Sequence, residues 1–293
     1  MIYAVGLDSD RTFVYLLREL LARDVAVQPI NLRAVVPGRW RLSVPDDGSS
    51  FVETSDERIA LDPCASYFSR IVDLSSVQGT LVEAHLWRGL VSAISSWFEA
   101  IPGTVVNRPG GDACNASKPL HEHVLAQQGL RVPESLTSSD HRLLQEFAAR
   151  GPTVVKTVSG VRANTRLLDD AELARFDRRQ GPIHVQRLVK GVDVRAHVVD
   201  DTVHAELIEA NAVDYRAATG FKRFERHQLP RQLEVDLVRA TGDMSLRFAG
   251  WDFKRDSHDT YWCLEANPMP GYESYDRRLG GTITDALLRA LQG

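Results

Sequence analysis

One stretch near the C-terminus constrains this chain more than any other: Gly250-Trp-Asp252-Phe, followed by Tyr261-Trp-Cys-Leu-Glu265-Ala-Asn267-Pro. Both halves alternate apolar and polar residues around a short polar turn, the pattern of an antiparallel hairpin with one face on a core. A turn at His258–Asp259, with Ser257 facing Thr260, sets Asp252 directly opposite Glu265. Trp251, Phe253, Leu264 and Ala266 then share the other, apolar face. Two carboxylates opposed across a strand pair repel each other, and a divalent cation between them reverses the sign. Asp252, Glu265 and, two residues on, Asn267 offer only oxygen donors, which suits Mg²⁺ or Mn²⁺ and not zinc. Two plainer readings stand beside this one: an exposed polar face of an edge hairpin, or neutralisation of Asp252 or Glu265 by a nearby arginine.

The first thirty residues define the fold class of the N-terminus. Ile2–Leu7 reads as a strand, Asp8–Asp10 as a turn and N-cap, and Phe13, Leu16, Leu17, Leu20 and Leu21 recur at helical spacing before a strand at Val25–Ile30. A β-α-β unit implies a parallel sheet. A small β section over residues 36–62 follows, then a strand at Tyr67–Val72. Next come a helix from His85 to Ala100 with Leu86, Leu90, Ile94 and Trp97 on one face, and a short strand at Val105–Val106. The grammar restarts near Asn115. Ser117 caps a helix ending near Gly129, and a second helix covers Ser138–Arg150. Strands at Thr153–Val158 and Ile183–Val189 flank a helix over Ala171–Arg178. Strands at Val192–Val199 and Thr202–Glu209 lead through a polar loop to helices over Arg231–Leu246 and Thr282–Leu291, on either side of the hairpin.

Two lysines stand at awkward places. Lys118 lies in the first turn of a helix, against the dipole preference for anions, and Lys156 interrupts an apolar strand, where an unpaired ammonium is costly. A polyphosphate between them accounts for both; so, separately, does each side chain reaching out to water. Asp193, Arg195 and His197 alternate onto one strand face, and a turn at Asp200–Asp201 sets Arg195 opposite Glu206. Arg195 therefore reads equally as a cross-strand ion pair or as a phosphate ligand. Arg216, in the loop segment Asp214-Tyr-Arg216, could meet a phosphate or carboxylate with both arms of its guanidinium.

Charge and cysteine usage narrow the function classes. The 35 Lys and Arg residues are scattered and outnumbered by 39 Asp and Glu, for a net charge of −4, which argues against a nucleic-acid partner. Cys64, Cys114 and Cys263 are odd in number and lack a CxxC spacing. They imply neither a disulfide framework nor a zinc site, and a reducing cytoplasm is the expected compartment. No apolar run has the length of a membrane span. Homo-oligomer formation stays open: Trp87 or Trp97 could serve an interface if exposed, while core packing accounts for each.

In order and spacing, several phrases together resemble the ATP-grasp superfamily, in the branch of ribosomal-protein glutamate ligases and maturases of microviridin-type peptides. The carrying residues are Val106-Asn107, Ala116-Ser-Lys118, Gly129-Leu-Arg-Val-Pro133, Val154-Val-Lys156, Val185-Gln186-Arg-Leu-Val-Lys-Gly-Val-Asp193-Val-Arg195, Asp214-Tyr-Arg216, Gly250-Trp-Asp252-Phe and Leu264-Glu265-Ala-Asn267-Pro. Tyr67-Phe-Ser-Arg70 resembles a Tyr/Trp-Arg segment of the peptide maturases. The resemblance implies an α+β ATP-grasp fold behind a pre-ATP-grasp α/β domain. Residues 1–115 would form that domain, 116–190 a small lid subdomain, and 191–293 a C-terminal subdomain with the metal site.

The resemblance also implies roles. Lys118 and Lys156 would hold the phosphates of ATP. Gln186, Arg187, Leu188 and Val189 would border the adenine, and Asp193 would lie near the ribose. Asp252, Glu265 and Asn267 would carry Mg²⁺, with Mn²⁺ as a substitute, and Arg195 and Arg216 would steady the transferred phosphoryl group and the oxyanion. Two departures stand out: the Gly-rich loop is reduced to Ser159-Gly-Val-Arg162, and Ala218 stands where the branch often has Asn. The expected activity is carboxylate–amine ligation on an amino acid or peptide, through an acyl phosphate, with ADP and phosphate released. A precursor-peptide cyclase forming internal ester or amide links is the alternative, and a non-catalytic nucleotide-binding scaffold the second.

Overall fold

Ile2–Gly6 (β1), Arg11–Ala22 (α1) and Val27–Asn31 (β2) form the expected β-α-β unit in the computed structural model. The structure describes residues 1–110, 117–158, 165–169, 171, 173, 176, 181–211, 215 and 221–293. Asp10 caps α1, its Oδ1 accepting the Thr12 N–H at 2.9 Å. β2 begins two residues later than the apolar run suggests. The end of α1 consumes Val25, whose N–H donates to Leu20 O at 3.0 Å, with Asp24 at a φ of 54°. Trp40–Arg41 (β3), Phe51–Glu53 (β4) and Arg58–Ala60 (β5) make the small antiparallel β section. Ser66–Ser69 (β6), the helix Leu81–Ala100 (α2) and Val105–Val106 (β7) follow. β1 pairs in parallel with β2 and β6, and β6 with β7, giving the order β2-β1-β6-β7.

Helix α2 starts earlier than its apolar face indicates because Thr80 caps it, Oγ1 accepting the Glu83 N–H at 3.1 Å. Of the expected face, Leu90, Ile94 and Trp97 are buried, while Leu86 is exposed. Neither tryptophan raised as an interface residue lies open on the surface. Trp97 is fully buried with Nε1 donating to Asp46, and half-buried Trp87 donates to Val72 O. Tyr67 and Arg70 are likewise internal. The Tyr67 hydroxyl donates to Asp62 O, and Arg70 bonds Asp10 and Pro270 O.

The next part of the chain contains Lys118–Gln127 (α3), Ser135–Ser138 (β8), His141–Ala149 (α4), Thr153–Lys156 (β9), Arg166–Leu167 (β10) and Ile183–Arg187 (β11). Its sheet runs β10-β9-β11-β8, all antiparallel. The helix expected from Ser138 starts at His141, because Asp140 caps it and Ser135–Ser138 is drawn into the sheet. The helix expected over 171–178 lies largely outside the described residues. Val192–Val199 (β12), Thr202–Ala210 (β13), Lys222–His227 (β14), the helix Arg231–Asp243 (α5), Phe248–Arg255 (β15) and Tyr261–Asn267 (β16) come next. They build a five-stranded sheet ordered β14-β13-β12-β15-β16. The chain ends with Glu273–Arg278 (α6) and Thr282–Gln292 (α7).

Contacts divide the chain into two units. One is Met1–Gly111 with Ser245–Phe248 and Met269–Gly293; the other is Asp112–Met244 with Ala249–Pro268. The expected 191–293 segment is thus shared between the two. In the first unit, buried Asp276 gathers the Tyr15 hydroxyl, both Ile283 and Thr284 N–H groups and the Thr284 hydroxyl, which ties α7 to α1.

Candidate functional site

The hairpin of β15 and β16 places Asp252 opposite Glu265, Trp251 opposite Ala266, and Gly250 opposite Asn267. The turn itself is shifted from expectation. Asp256, not Ser257, faces Thr260, donating to its carbonyl at 3.0 Å, and Asp259 takes a φ of 56°. A register shift between Asp252 and Phe253 compensates, so that Phe253 faces Cys263 and Leu264 takes the extra place on β16. The carboxylates end up opposed as expected because a three-residue turn and a one-residue bulge offset each other.

The rest of this sheet explains how so many charges are buried. Arg195 faces Glu206 on β13, which in turn faces Arg226 on β14. On its other side Arg195 Nη1 donates to Asp252 Oδ2 at 2.7 Å, both side chains nearly buried. One step along, Lys254 Nζ donates to Asp193 Oδ2 at 2.8 Å. A row of alternating sign therefore runs across five strands: Arg226, Glu206, Arg195, Asp252, Glu265. The sign alternates until the last pair, where two carboxylates adjoin. Across the row two arginines meet three carboxylates, so the row is net negative, with its two adjoining carboxylates at the Asp252–Glu265 end. Arg195 also donates from Nε to Nε2 of fully buried His197 at 3.3 Å. The arginine partner for Asp252 that one plainer reading required is thus present, and it is Arg195.

No group of three or more His, Cys, Asp or Glu side chains gathers for a metal among the described residues. The expected set remains two opposed carboxylates and the Asn267 amide, all oxygen donors of the kind hard cations take. Cys263 adds no sulfur ligand: burial first, and then the neighbouring Asp252 and Glu265 carboxylates, push its thiol pKa upward.

Lys156 projects from β9 into a second polar cluster. Its Nζ donates to Gln186 Oε1 at 2.6 Å, and Gln186 Nε2 donates to Glu122 Oε1 at 2.6 Å. Glu122 also accepts from Ser135 Oγ at 2.5 Å and from His184 Nε2 at 3.0 Å, while His184 Nδ1 meets Thr137 Oγ1 at 2.9 Å. Burial pushes the Glu122 carboxyl up, but the hydrogen bonds from His184 and Ser135 outweigh it and the pKa is lowered. Lys118 opens α3, its N–H donating to Val158 O at 3.0 Å. Ser117 holds the cap position without a side-chain bond.

Of the residues expected around the adenine, Gln186 turns toward Lys156 and Glu122. Arg187 is occupied within its own sheet, bonding Glu134, Gly151 O, Thr153 Oγ1 and Phe147 O and covering the Phe147 ring at 4.0 Å. Leu188 N–H donates to Pro152 O. Arg216, Asp214, Ala218 and the loop 159–162 lie outside the described residues.

His121, Glu122, His184 and Lys254 belong to these clusters and carried no functional expectation. The spacing from Lys118 to His121 and Glu122, one helical turn, was a signal available in the sequence. So was the alternation of His184 with Gln186. His121 Nε2 accepts the Ala266 N–H at 2.9 Å. Burial, reinforced by Lys118 and Lys156, lowers its pKa to about 4.

The RimK-like ATP-grasp domain profile matches residues 116–291. The chain is similar to the ATP-grasp ligase PsnB complexed with a minimal precursor, at 28% identity over 99% of this chain and 98% of that one, with a TM-score of 0.80. PsnB is also known with minimal precursor, Mg and ADP bound. The macrocyclase MdnC of Microcystis aeruginosa MRC, bound with precursor peptide MdnA, shares the fold at 16% identity, coverage of 100% and 99%, and a TM-score of 0.83. The D-alanine–D-alanine ligase of Bacillus anthracis, complexed with ATP, shares it more distantly, at 13% identity, coverage of 99% and 95%, and a TM-score of 0.62. No curated protein sequence matches the chain. None of the described helices is long and apolar enough to cross a membrane. On the extent of the matched domain and the full-length correspondence of fold, the chain belongs to the RimK-like ATP-grasp family of ligases.

Proposed function

We propose that this protein is an ATP-dependent ligase of precursor peptides, joining a side-chain carboxylate to a hydroxyl or amine of the same peptide. The observation that carries this reading is the similarity, at 28% identity and over nearly the full length of both chains, to a ligase held in complex with its precursor. Carboxylate–amine ligation on a free amino acid is the broader chemistry from which this reading is drawn. The precursor reading is preferred because the similarity extends through the N-terminal unit as well as the matched domain.

The chemistry follows from leaving groups. A carboxylate is a poor acyl donor because it would have to expel oxide. Taking the γ-phosphoryl group of ATP through one carboxylate oxygen turns that oxygen into part of a phosphate, which leaves readily. The peptide nucleophile then adds to the acyl carbon, the tetrahedral oxyanion collapses, phosphate departs, and the nucleophile's proton goes to solvent or a base. Asp252, Glu265 and Asn267 would hold Mg²⁺, which when bound would neutralise negative charge on the nucleotide phosphates. Lys156, presented by Gln186, and Lys118 hold the phosphates. Asp193 lies near the ribose, and the backbone of 186–189 borders the base. Arg195 fixes Asp252 through its ion pair and offers positive charge beside the transferred group. Arg216 meets the oxyanion.

Mass spectrometry of peptides bearing Asp or Glu together with Ser, Thr or Lys, incubated with the protein, ATP and Mg²⁺, tests the reading. The expected result is loss of one water per link, with one ADP released for each. A mass gain equal to an added amino acid favours carboxylate–amine ligation between molecules. ADP binding without any stimulated ADP release favours the scaffold.

A further inference from the structure

Helix α3 does two jobs with adjacent residues. His121 takes the N–H of Ala266 at 2.9 Å, and Ala266 is the residue between Glu265 and Asn267. Glu122 takes Gln186, which presents Lys156. Among the described residues β16 is the edge strand of its sheet and no further strand pairs with the Ala266 N–H, and Ala266 is buried. A buried N–H at an edge needs an acceptor from elsewhere. The neutral imidazole supplies it at the one backbone position that flanks both proposed oxygen ligands. Glu122 acts in the other direction. As a carboxylate it can only accept, so it obliges the Gln186 amide to turn its NH₂ inward and its oxygen toward the Lys156 ammonium.

We infer that His121 is a positioning residue for the metal ligands Glu265 and Asn267, and that Glu122 is the matching positioning residue for the phosphate-holding Lys156. The two neighbours thereby set metal affinity and nucleotide affinity separately. This rests on the nucleotide and metal reading of the site, and the test keeps the two apart.

Binding of ADP without metal, by calorimetry, and of Mn²⁺ at saturating ADP, by the electron-paramagnetic signal of the free ion, are measured for wild type and three variants. His121→Leu removes the acceptor. The Mn²⁺ dissociation constant rises about 10-fold or more, in the range for residues that orient metal ligands, while metal-free ADP binding stays within about 2-fold. His121→Gln places an amide oxygen near the lost Nε2 and returns Mn²⁺ affinity to within about 3-fold of wild type. Glu122→Gln shows the reverse pattern: ADP binding weakens about 10-fold, the worth of a hydrogen bond to a charged group, and Mn²⁺ affinity at saturating ADP is kept. Should His121→Leu fail to fold, His121→Asn, which withdraws the acceptor from Ala266 but stays polar, takes its place. Unchanged Mn²⁺ affinity in the acceptor-less variant overturns the inference, as does a parallel loss of both affinities in either variant, the mark of a helix merely loosened. Wild-type protein that binds neither ADP nor Mn²⁺ overturns the underlying reading of the site instead.

Discussion

The two sheets of the second unit bury polar groups in different ways. In the five-stranded sheet the buried groups are ions, set side by side on neighbouring strands: Asp193 with Lys254, and Arg195 with Asp252. Each partner is fixed by strand register, so the pattern is a grid. In the β10-β9-β11-β8 sheet the central group, Glu122, comes from a helix, and its partners are a hydroxyl, an amide and an imidazole: Ser135, Gln186 and His184. Lys156 touches the acid through an amide and not directly. Ionic pairing keeps carboxylates charged where a cation is to be gripped, but removing one member strands the other in a dry site. A network of separate hydrogen bonds is cheaper to perturb one bond at a time. The first arrangement suits the proposed metal ligands, and the second suits Lys156 in its proposed role at the phosphates.

The largest expected effect tests the ionic grid where it meets the proposed metal site. Asp252→Ala lowers ADP release at least about 100-fold and costs about 3–5 kcal/mol of stability, because Arg195 stays buried without that partner. Asp252→Asn should lose comparable activity with less stability, measured by turnover and urea unfolding. If both variants retain activity, the proposed metal end of the row is wrong. Next, Lys254→Met removes the buried ammonium that Asp193 accepts from and costs about 3–5 kcal/mol, while adding Asp193→Leu restores most of it. A double variant no better than the single one would show that the loss does not reside in the Asp193–Lys254 pair.

The third prediction concerns pH and the helix that both sheets share. The folded pKa of His121 lies at about 4, below its ordinary 6.5. Between those values the unfolded chain holds a proton that the folded one does not, so unfolding gains as pH falls. This contribution is complete above pH 6.5 and lost toward pH 4, in total about 3 kcal/mol. Unfolding free energies at several pH values should show a shallower acid limb for His121→Gln than for wild type; identical limbs would contradict the assignment. The smallest effect belongs to the hydrogen-bond network around Glu122. Thr137→Val removes one bond to His184 and should cost about 1 kcal/mol. A cost as large as that of Lys254→Met would erase the contrast between the sheets.

How much of this could be read in advance follows from distance along the chain. The β-α-β start was legible because Asp10, the leucine spacing of α1 and the flanking strands are all local. The pairing of β12 with β13, with Arg195 opposite Glu206, was legible because a tight turn at Asp200–Asp201 joins them. The opposition of Asp252 and Glu265 was also reached, although the bulge and the longer turn that jointly produce it leave no alternation signal of their own. β14 was hidden because Lys222–His227 carries five charged or imidazole side chains in six positions and reads as a loop. It becomes a strand because β13 offers it an edge.

What the amino-acid sequence determined by itself is the inventory: oxygen donors in alternation on a hairpin, lysines at a helix start and in an apolar strand, and strand pairs closed by short turns. The tertiary structure decided which of these residues meet. Asp252 finds Arg195 from 57 positions away, Gln186 finds Glu122 from 64, and the Ala266 N–H finds His121 from 145. No periodicity links residues so far apart. Their meeting is set by which strand edges and helix faces the folded chain must cover, and buried polar groups accept only arrangements in which each donor reaches an acceptor.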